Sequence, residues 1–276
     1  MHSSVIEALP SLPHIKRRFG FRLGVPSYVY PADLIANVRN LAQAVDDIEV
    51  VLFESGDVSN LPDAGTIAEL AELAGKWNLT YTIHLPIDRK LGAASKIERN
   101  AFADQAIRIF ELTAPLNPQA WILHPDGIAK NEPPERRAQW VEDAGQTLER
   151  IAAAAPERGR LCLENLGFPF EWCEPWLDRF SLGVCIDFGH LWLSGADDTT
   201  HLARFLPRCR VIHFHGICKG RDHLSLDVLP ENVFDRTMDA LRSFSGVVTA
   251  EVFDFDMART SLARLLSAAN RNRRAS

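Results

Sequence analysis

Eight short runs of apolar and β-branched residues recur along the chain, each followed by a stretch of helical period, and no other feature constrains the fold as strongly. Alternating strand and helix patterns mark a parallel sheet, because each parallel strand must be reached by a crossover. The runs are 22–29, 48–54, 79–85, 120–124, 161–164, 182–187, 210–215 and 247–252. Eight strand–helix units are enough to close a (β/α)8 barrel, the TIM barrel, and the 276 residues match the roughly 250 of one such domain. The expected organisation is an N-terminal arm at 1–20, the barrel at 21–270 and a tail at 271–276, with no linker. The first helix is expected to open at Pro31 and to turn Leu34, Ile35, Val38, Leu41 and Val45 toward the barrel. Further helices are expected at 64–77, 95–113 and 134–155, then two shorter ones after the fifth and sixth strands, and finally at 233–244 and 257–269.

Composition closes off several classes of function. No apolar run approaches the roughly 20 residues of a membrane helix, and the polar start with Pro10, Pro13 and the basic residues 16–18 lacks the apolar centre of a secretory signal. A cytoplasmic protein that does not bind membranes is expected. The cysteines Cys162, Cys173, Cys185, Cys209 and Cys218 are odd in number and show no C-x-x-C spacing, so they read as reduced packing residues. A net charge of -6 offers no field for a polyanion, and Arg271, Arg273 and Arg274 are too few to change that. The expected partner is a small molecule and not nucleic acid. No signal for an oligomeric state is present.

What ends the strands is chemically unusual. His84, His124, Glu164, Asp187, His213 and Glu251 close strands three to eight in order, and all would ring one mouth of the barrel. In this fold chemistry belongs to that C-terminal face, whereas the apolar residues preceding these positions are expected to fill the barrel. Imidazoles and carboxylates suit zinc, manganese or iron, and a carboxylate can bridge two ions. A lone strand-end His or Glu is commonly a hydrogen-bonded rim residue, but six in consecutive strands read as a metal site. Of nine histidines, His84, His124, His190, His213, His215 and His223 fall at or just after strand ends, while His2, His14 and His201 read as surface residues. Asp187 and His190 form a D-x-x-H pair in which Asp187 either ligates or caps a helix, with Gly189 expected to permit a tight turn. In His213-Phe214-His215 the period of two sends both rings to one face; the deeper His213 is expected to ligate and His215 to contact substrate. Glu54 reads as a rim residue.

The ordered series His84, His124, Glu164, Asp187-x-x-His190, His213, Asp222-His223 and Glu251 resembles the xylose-isomerase-like barrels of the apurinic/apyrimidinic endonuclease superfamily. That resemblance implies one ion on His84, His124 and Glu164, a second on Glu164, Asp187, His213 and Glu251, and a third on His190 and His223 with an aspartate. Here the chain departs from the endonuclease pattern: the aspartate position two residues before the histidine is Arg221, and Asp222 adjoins His223. Two ions are therefore implied, and a third is left open. Within the superfamily, the stretches that begin at Arg22, Asp47, Leu79 and Arg221 resemble the cobamide-remodelling phosphodiesterase group. That implies hydrolysis in the nucleotide loop of a cobamide, between phosphate and ribose, giving cobinamide phosphate and the lower-ligand riboside.

Two or three divalent ions, zinc first by intrinsic affinity and manganese or iron next, would bind the phosphodiester oxygens and acidify a water. Glu164 or Glu251 would also orient that water. Lys219 and Arg221 either bind phosphate or form a solvated basic loop. Phe168, Phe170, Trp172 and Trp176, after strand five, either form an aromatic wall for a flat ligand or pack on the next helix. The alternatives are a manganese-dependent sugar isomerase or epimerase, which His84 and His124 oppose; an apurinic/apyrimidinic endonuclease, which the acidic balance opposes; and a non-catalytic binder, which the intact ligand set opposes.

Overall fold

A computed structural model of the chain describes residues 10–275 other than Asp57, with side chains as far as Arg271. Eight parallel strands form a closed barrel: β1 (Arg22–Pro26), β2 (Asp47–Val51), β3 (Thr80–His84), β4 (Trp121–Leu123), β5 (Leu161–Glu164), β6 (Gly183–Asp187), β7 (Cys209–His213) and β8 (Val247–Thr249). Each pairs with its neighbour in sequence and β8 closes on β1, so the expected (β/α)8 architecture is the observed one. Seven of the eight hydrogen-bonded strands are shorter than the apolar runs, and Leu161–Glu164 matches its run. β8 stops at Thr249, two residues before Glu251, and β4 stops one residue before His124.

The alternation along each strand divides the interior in two. Ile83, Leu123, Leu163, Ile186, Ile212 and Ala250 pack outward in the cluster shared with the helices. Ala120, Ile122, Cys162, Cys185, Val211 and Val247 form a separate cluster inside the barrel. The residues immediately before the strand-end acids and imidazoles thus face the helices, contrary to the expectation that they fill the barrel; those two positions earlier fill it, because side chains repeat with a period of two.

The helices are α1 (Leu34–Leu41), α2 (Ala64–Trp77), α3 (Lys96–Thr113), α4 (Pro134–Ala154), α5 (Glu174–Phe180), α6 (Phe188–Ser194), α7 (Asp198–Phe205), α8 (Glu231–Ala240) and α9 (Phe255–Ala275). α1 opens three residues later than Pro31, because Asp33 is the N-cap and its carboxylate accepts from Ala36 N–H at 2.8 Å. α9 continues to Ala275, so residues 271–275 of the expected tail are helix, and Arg271 there reaches Asp235 at 3.1 Å. The side chains of Arg273 and Arg274, like His2, lie outside the described residues. The described part of the arm is docked: Leu12 and Ile15 are buried, Lys16 Nζ donates to Ala42 O at 2.9 Å, and Tyr30 Oη donates to Pro10 O at 2.7 Å. No described helix is long and apolar enough to cross a membrane.

Two short hairpins rise from strand ends. Glu54–Ser55 pairs with Val58–Ser59 after β2, and Gly216–Cys218 pairs with Arg221–Leu224 after β7. The second turns through Lys219 (φ 51°) and Gly220 (φ 76°), the paired positive φ values of a tight two-residue hairpin.

Candidate metal centre

The strand ends bring Glu164 to the centre of a ring of imidazoles. Its Oε2 lies 3.2 Å from His124 Nε2, 3.5 Å from His84 Nε2 and 3.6 Å from His213 Nδ1, and its Oε1 lies 3.2 Å from His190 Nδ1. Three strand ends and one helix start therefore converge on one fully buried carboxylate. Burial alone would push Glu164 upward, but the charges of His124 and His213 hold it well below the usual carboxylate range.

Asp187 faces two ways, and helix capping is one of them. Its Oδ1 caps α6 by accepting from His190 N–H at 2.7 Å, while Oδ2 lies 3.1 Å from His215 Nε2 and 3.7 Å from both His213 Nδ1 and His190 Nδ1. The His190 Nδ1 is also 3.0 Å from the Asn165 carbonyl, which only accepts, so that nitrogen carries the proton. Nε2, which carries the lone pair when the ring is neutral, faces Asp222, 3.9 Å away. Despite burial, which acts in the opposite sense, Asp187 and Glu164 raise His190 to about 10.

His213 supplies the test of whether a cation fits. Its Nδ1 is 3.0 Å from Glu251 Oε2, and both atoms are buried without a hydrogen-bond partner. With Glu164 and Asp187 oxygens at 3.6 and 3.7 Å, this nitrogen faces three carboxylates. Acceptors that converge in a closed space and lack a donor match what a divalent ion takes. Sets of donors within 4.8 Å of one another include His84–His124–Glu164, Glu49–His213–Glu251 and Asp187–His215–His223–Glu251.

His223 departs from the expected third-ion grouping. It stands in the hairpin after β7 with φ 51°, a strained conformation for a non-glycine residue, and its Nε2 points to Glu251 Oε2 at 3.4 Å. Its Nδ1 is 3.2 Å from Asp222 Oδ1. Glu251, Asp187 and Asp222 raise it to about 9 against the effect of burial. The ring thus joins the Glu251 group, and the candidate third pair is reduced to His190 with Asp222.

His215 does not reach outward as expected. It is fully buried, its Nε2 meets Asp187, and its Nδ1 accepts from His223 N–H at 2.9 Å. With both nitrogens engaged it holds Asp187 and the hairpin in place. Gly189 makes room for it: a Cβ there would lie 2.0 Å from His215 Cε1, so this glycine serves a close approach within α6 and not the tight turn expected.

The aromatic loop packs on α4, which is the plainer of its two readings. Phe168 is buried, stacks on Trp172 at 5.6 Å between centroids and meets Trp140 edge-on at 5.3 Å; the Arg137 guanidinium lies 5.1 Å over Trp172. Trp176 likewise packs on Trp140 at 4.8 Å. Phe168 retains one polar neighbourhood, a cavity of about 310 Å³ shared with Asn165, Lys130 and Thr200. His201, expected at the surface, is buried between Phe170 and Phe205, and burial lowers it to about 4. Glu54 pairs with Arg108 and accepts from Gln105 at 3.2 Å, as a rim residue does. Lys219 and Arg221 are exposed on the hairpin after β7.

Sequence reasoning missed Glu49. It stands inside β2, fully buried, with Oε2 2.9 Å from His213 Nε2. The available signal was Asp47–Glu49 at period two in a strand whose end, Val51, pairs with His84. Cys185 was also missed as a neighbour of Glu164 and His213, but burial holds its thiol well above the usual range, so it packs as a neutral group.

Residues 38–270 match the family described as xylose isomerase-like TIM barrel. The chain belongs to that family. Among solved structures it is similar to a D-tagatose 3-epimerase-like protein (TM-score 0.71, 20% identity, 93% of this chain and 100% of that one). It is also similar to endonuclease IV from Thermus thermophilus (TM-score 0.69, 17% identity, 91% and 99%) and to 3-keto-D-glucoside 4-epimerase from E. coli (TM-score 0.69, 14% identity, 90% and 98%). At these identities the likeness is one of fold. No curated protein matches the chain.

Proposed function

We propose that this family member is a metal-dependent hydrolase that cleaves a phosphodiester in the nucleotide loop of a cobamide, between phosphate and ribose. Water adds across the P–O bond: its oxygen joins phosphorus, its hydrogen goes to the ribose oxygen, and cobinamide phosphate and the lower-ligand riboside leave. The observation that carries this reading is the position of Glu164, whose Oε2 lies within 3.6 Å of three imidazole nitrogens while Oε1 lies 3.2 Å from a fourth. A carboxylate shared this way supports two ions, where a sugar isomerase needs one held by Glu164, Asp187, His213 and Glu251.

Ions held there, zinc before manganese or iron, would supply positive charge at the phosphodiester and a water acidic enough to attack near neutral pH. Glu164 and Glu251 stay ionised beside their imidazoles and orient that water. Lys219 and Arg221, exposed on their hairpin, hold the phosphate from the solvent side. A second observation favours a bulky substrate. All seven exposed large hydrophobics among the described residues, Phe53, Val58, Ile87, Ile97, Leu193, Val228 and Phe253, lie in segments that leave the strand ends. Phe253 sits 5.3 Å from the His223 ring. An exposed aromatic ring beside the charged ligands suits a large ring with a polar loop better than a small sugar, and the net charge of -6 opposes a duplex.

The test gives the metal-loaded protein a cobamide, DNA with an abasic site and a panel of ketoses in separate reactions read by mass spectrometry. The cobamide is expected to gain one water and split. An intact cobamide beside a nicked strand or an epimerised ketose overturns the reading.

A further inference from the structure

We propose that Glu49 is the positioning residue that fixes the ring of His213, holding the proton on Nε2 so that the Nδ1 lone pair is aimed at a cation. The proposal rests on the metal-centre reading but not on the cobamide. Glu49 belongs to β2 and His213 to β7, strands that are not neighbours in the barrel, so their contact spans the lumen. Both side chains are fully buried and the Oε2 to Nε2 distance is 2.9 Å. Among the described residues no lysine or arginine pairs with Glu49, and its Oε1 has no hydrogen-bond partner.

A carboxylate buried so completely is expensive unless it has a defined task. Neutral imidazole has one N–H and one lone pair, so whichever nitrogen donates determines which one ligates. At 2.9 Å the carboxylate can only accept, which puts a hydrogen on Nε2, so the neutral ring that a cation takes has its lone pair on Nδ1, toward Glu251, Glu164 and Asp187. A carboxylate behind a ligating imidazole orients the ring and raises its basicity, and loss of such a partner typically weakens metal binding about 10- to 100-fold. Glu49 also stands two residues from Val51, which pairs with His84 on β3. One strand thereby braces both edges of the ligand ring.

The experiment titrates full-length apo protein with Zn²⁺ by calorimetry, for the wild type, Glu49→Gln and Glu49→Leu, with thermal unfolding of each apo form alongside. Long-range ¹H–¹⁵N spectra of the zinc-loaded wild type read the His213 tautomer. The expected result is two zinc ions in the wild type, one of which weakens about 10-fold in Glu49→Gln and about 100-fold in Glu49→Leu. The other ion should be unchanged, and Nε2 of His213 should carry the hydrogen. If Glu49 only offsets charge on a doubly protonated His213, the variants change apo unfolding and leave both affinities alone, which overturns the proposal. A tautomer with the hydrogen on Nδ1 also overturns it. A wild type that binds no zinc overturns the metal-centre reading as well, whereas inactivity on cobamides with the expected affinities removes only the proposed substrate.

Discussion

Two layers of the barrel lumen bury carboxylates in opposite ways. In the lower layer Asp47 is saturated: Thr80 Oγ1 donates at 2.5 Å and Thr82 Oγ1 at 3.0 Å, and Gly24 leaves space beside it, a Cβ there falling 3.2 Å from Asp47 Cβ. In the upper layer Glu49 Oε1, His213 Nδ1 and Glu251 Oε2 are buried without a hydrogen-bond partner. Hydroxyl donors finish the first arrangement, whereas the second leaves converging donor atoms that a cation would satisfy. Burial of an acid therefore does not mark a ligand. Burial with converging unsatisfied acceptors does, since an unmade hydrogen bond in the interior costs roughly 1–3 kcal/mol per group.

The strongest way to break this contrast is to remove upper-layer ligands. His124→Ala and Glu164→Gln are each expected to lower bound metal and cut turnover by more than the roughly 100-fold that loss of an outer partner causes. The barrel should stay folded, because the cluster inside it and the cluster outside it are untouched. Metal analysis with circular dichroism checks this, and activity retained in metal-free protein would sink it.

A second measurement sharpens the contrast through pH. His190 and His223 are raised to about 10 and about 9, so protons hold their lone pairs at neutral pH. Their pairing with carboxylates stabilises the apo fold fully below about 6.5 and is lost as pH rises through 9 to 10. Metal binding runs the other way: apparent affinity should climb from pH 6 to 9, and each ion should release at least one proton. Calorimetry in buffers of different ionisation enthalpy counts those protons, and zero release contradicts the raised imidazoles.

The smallest effect belongs to the lower layer. Burial raises Asp47 to about 6, so its ionisation works against the fold: stability is intact below about 3.8 and declines as pH rises through 6. Asp47→Asn keeps the hydroxyl contacts and removes the charge. Relative to the wild type it should gain on the order of 1–3 kcal/mol between pH 4 and 7, a shift of a few degrees in Tm, with zinc affinity unchanged. A fall in zinc affinity would mean that the two layers are one site.

Much of this was legible in the residues because period and order survive without coordinates. The eight runs and the acids and imidazoles that end six of them needed only alternation and the rule that chemistry sits at the C-terminal face. Glu49 was illegible by that rule, since it lies in mid-strand and is placed opposite His213 by closure across the lumen, which no local pattern encodes. The same holds for His215: period two puts it on the ligand face, but the hairpin that folds back over it and takes its Nδ1 is a tertiary event. His201 read as a surface residue because it lies away from the strand ends, and its burial depends on Phe170 from another loop.

The fit of His215 over Gly189 also makes a statement about descent. With 2.0 Å between a would-be Cβ and the imidazole, positions 189 and 215 cannot drift independently. A relative that carries any side chain at the first should carry something smaller than a ring at the second, and the order of the two changes is constrained, with the ring lost before the side chain is gained. Loss of that ring frees one oxygen of Asp187 and the backbone N–H of His223, so lineages that take this step need another partner for each.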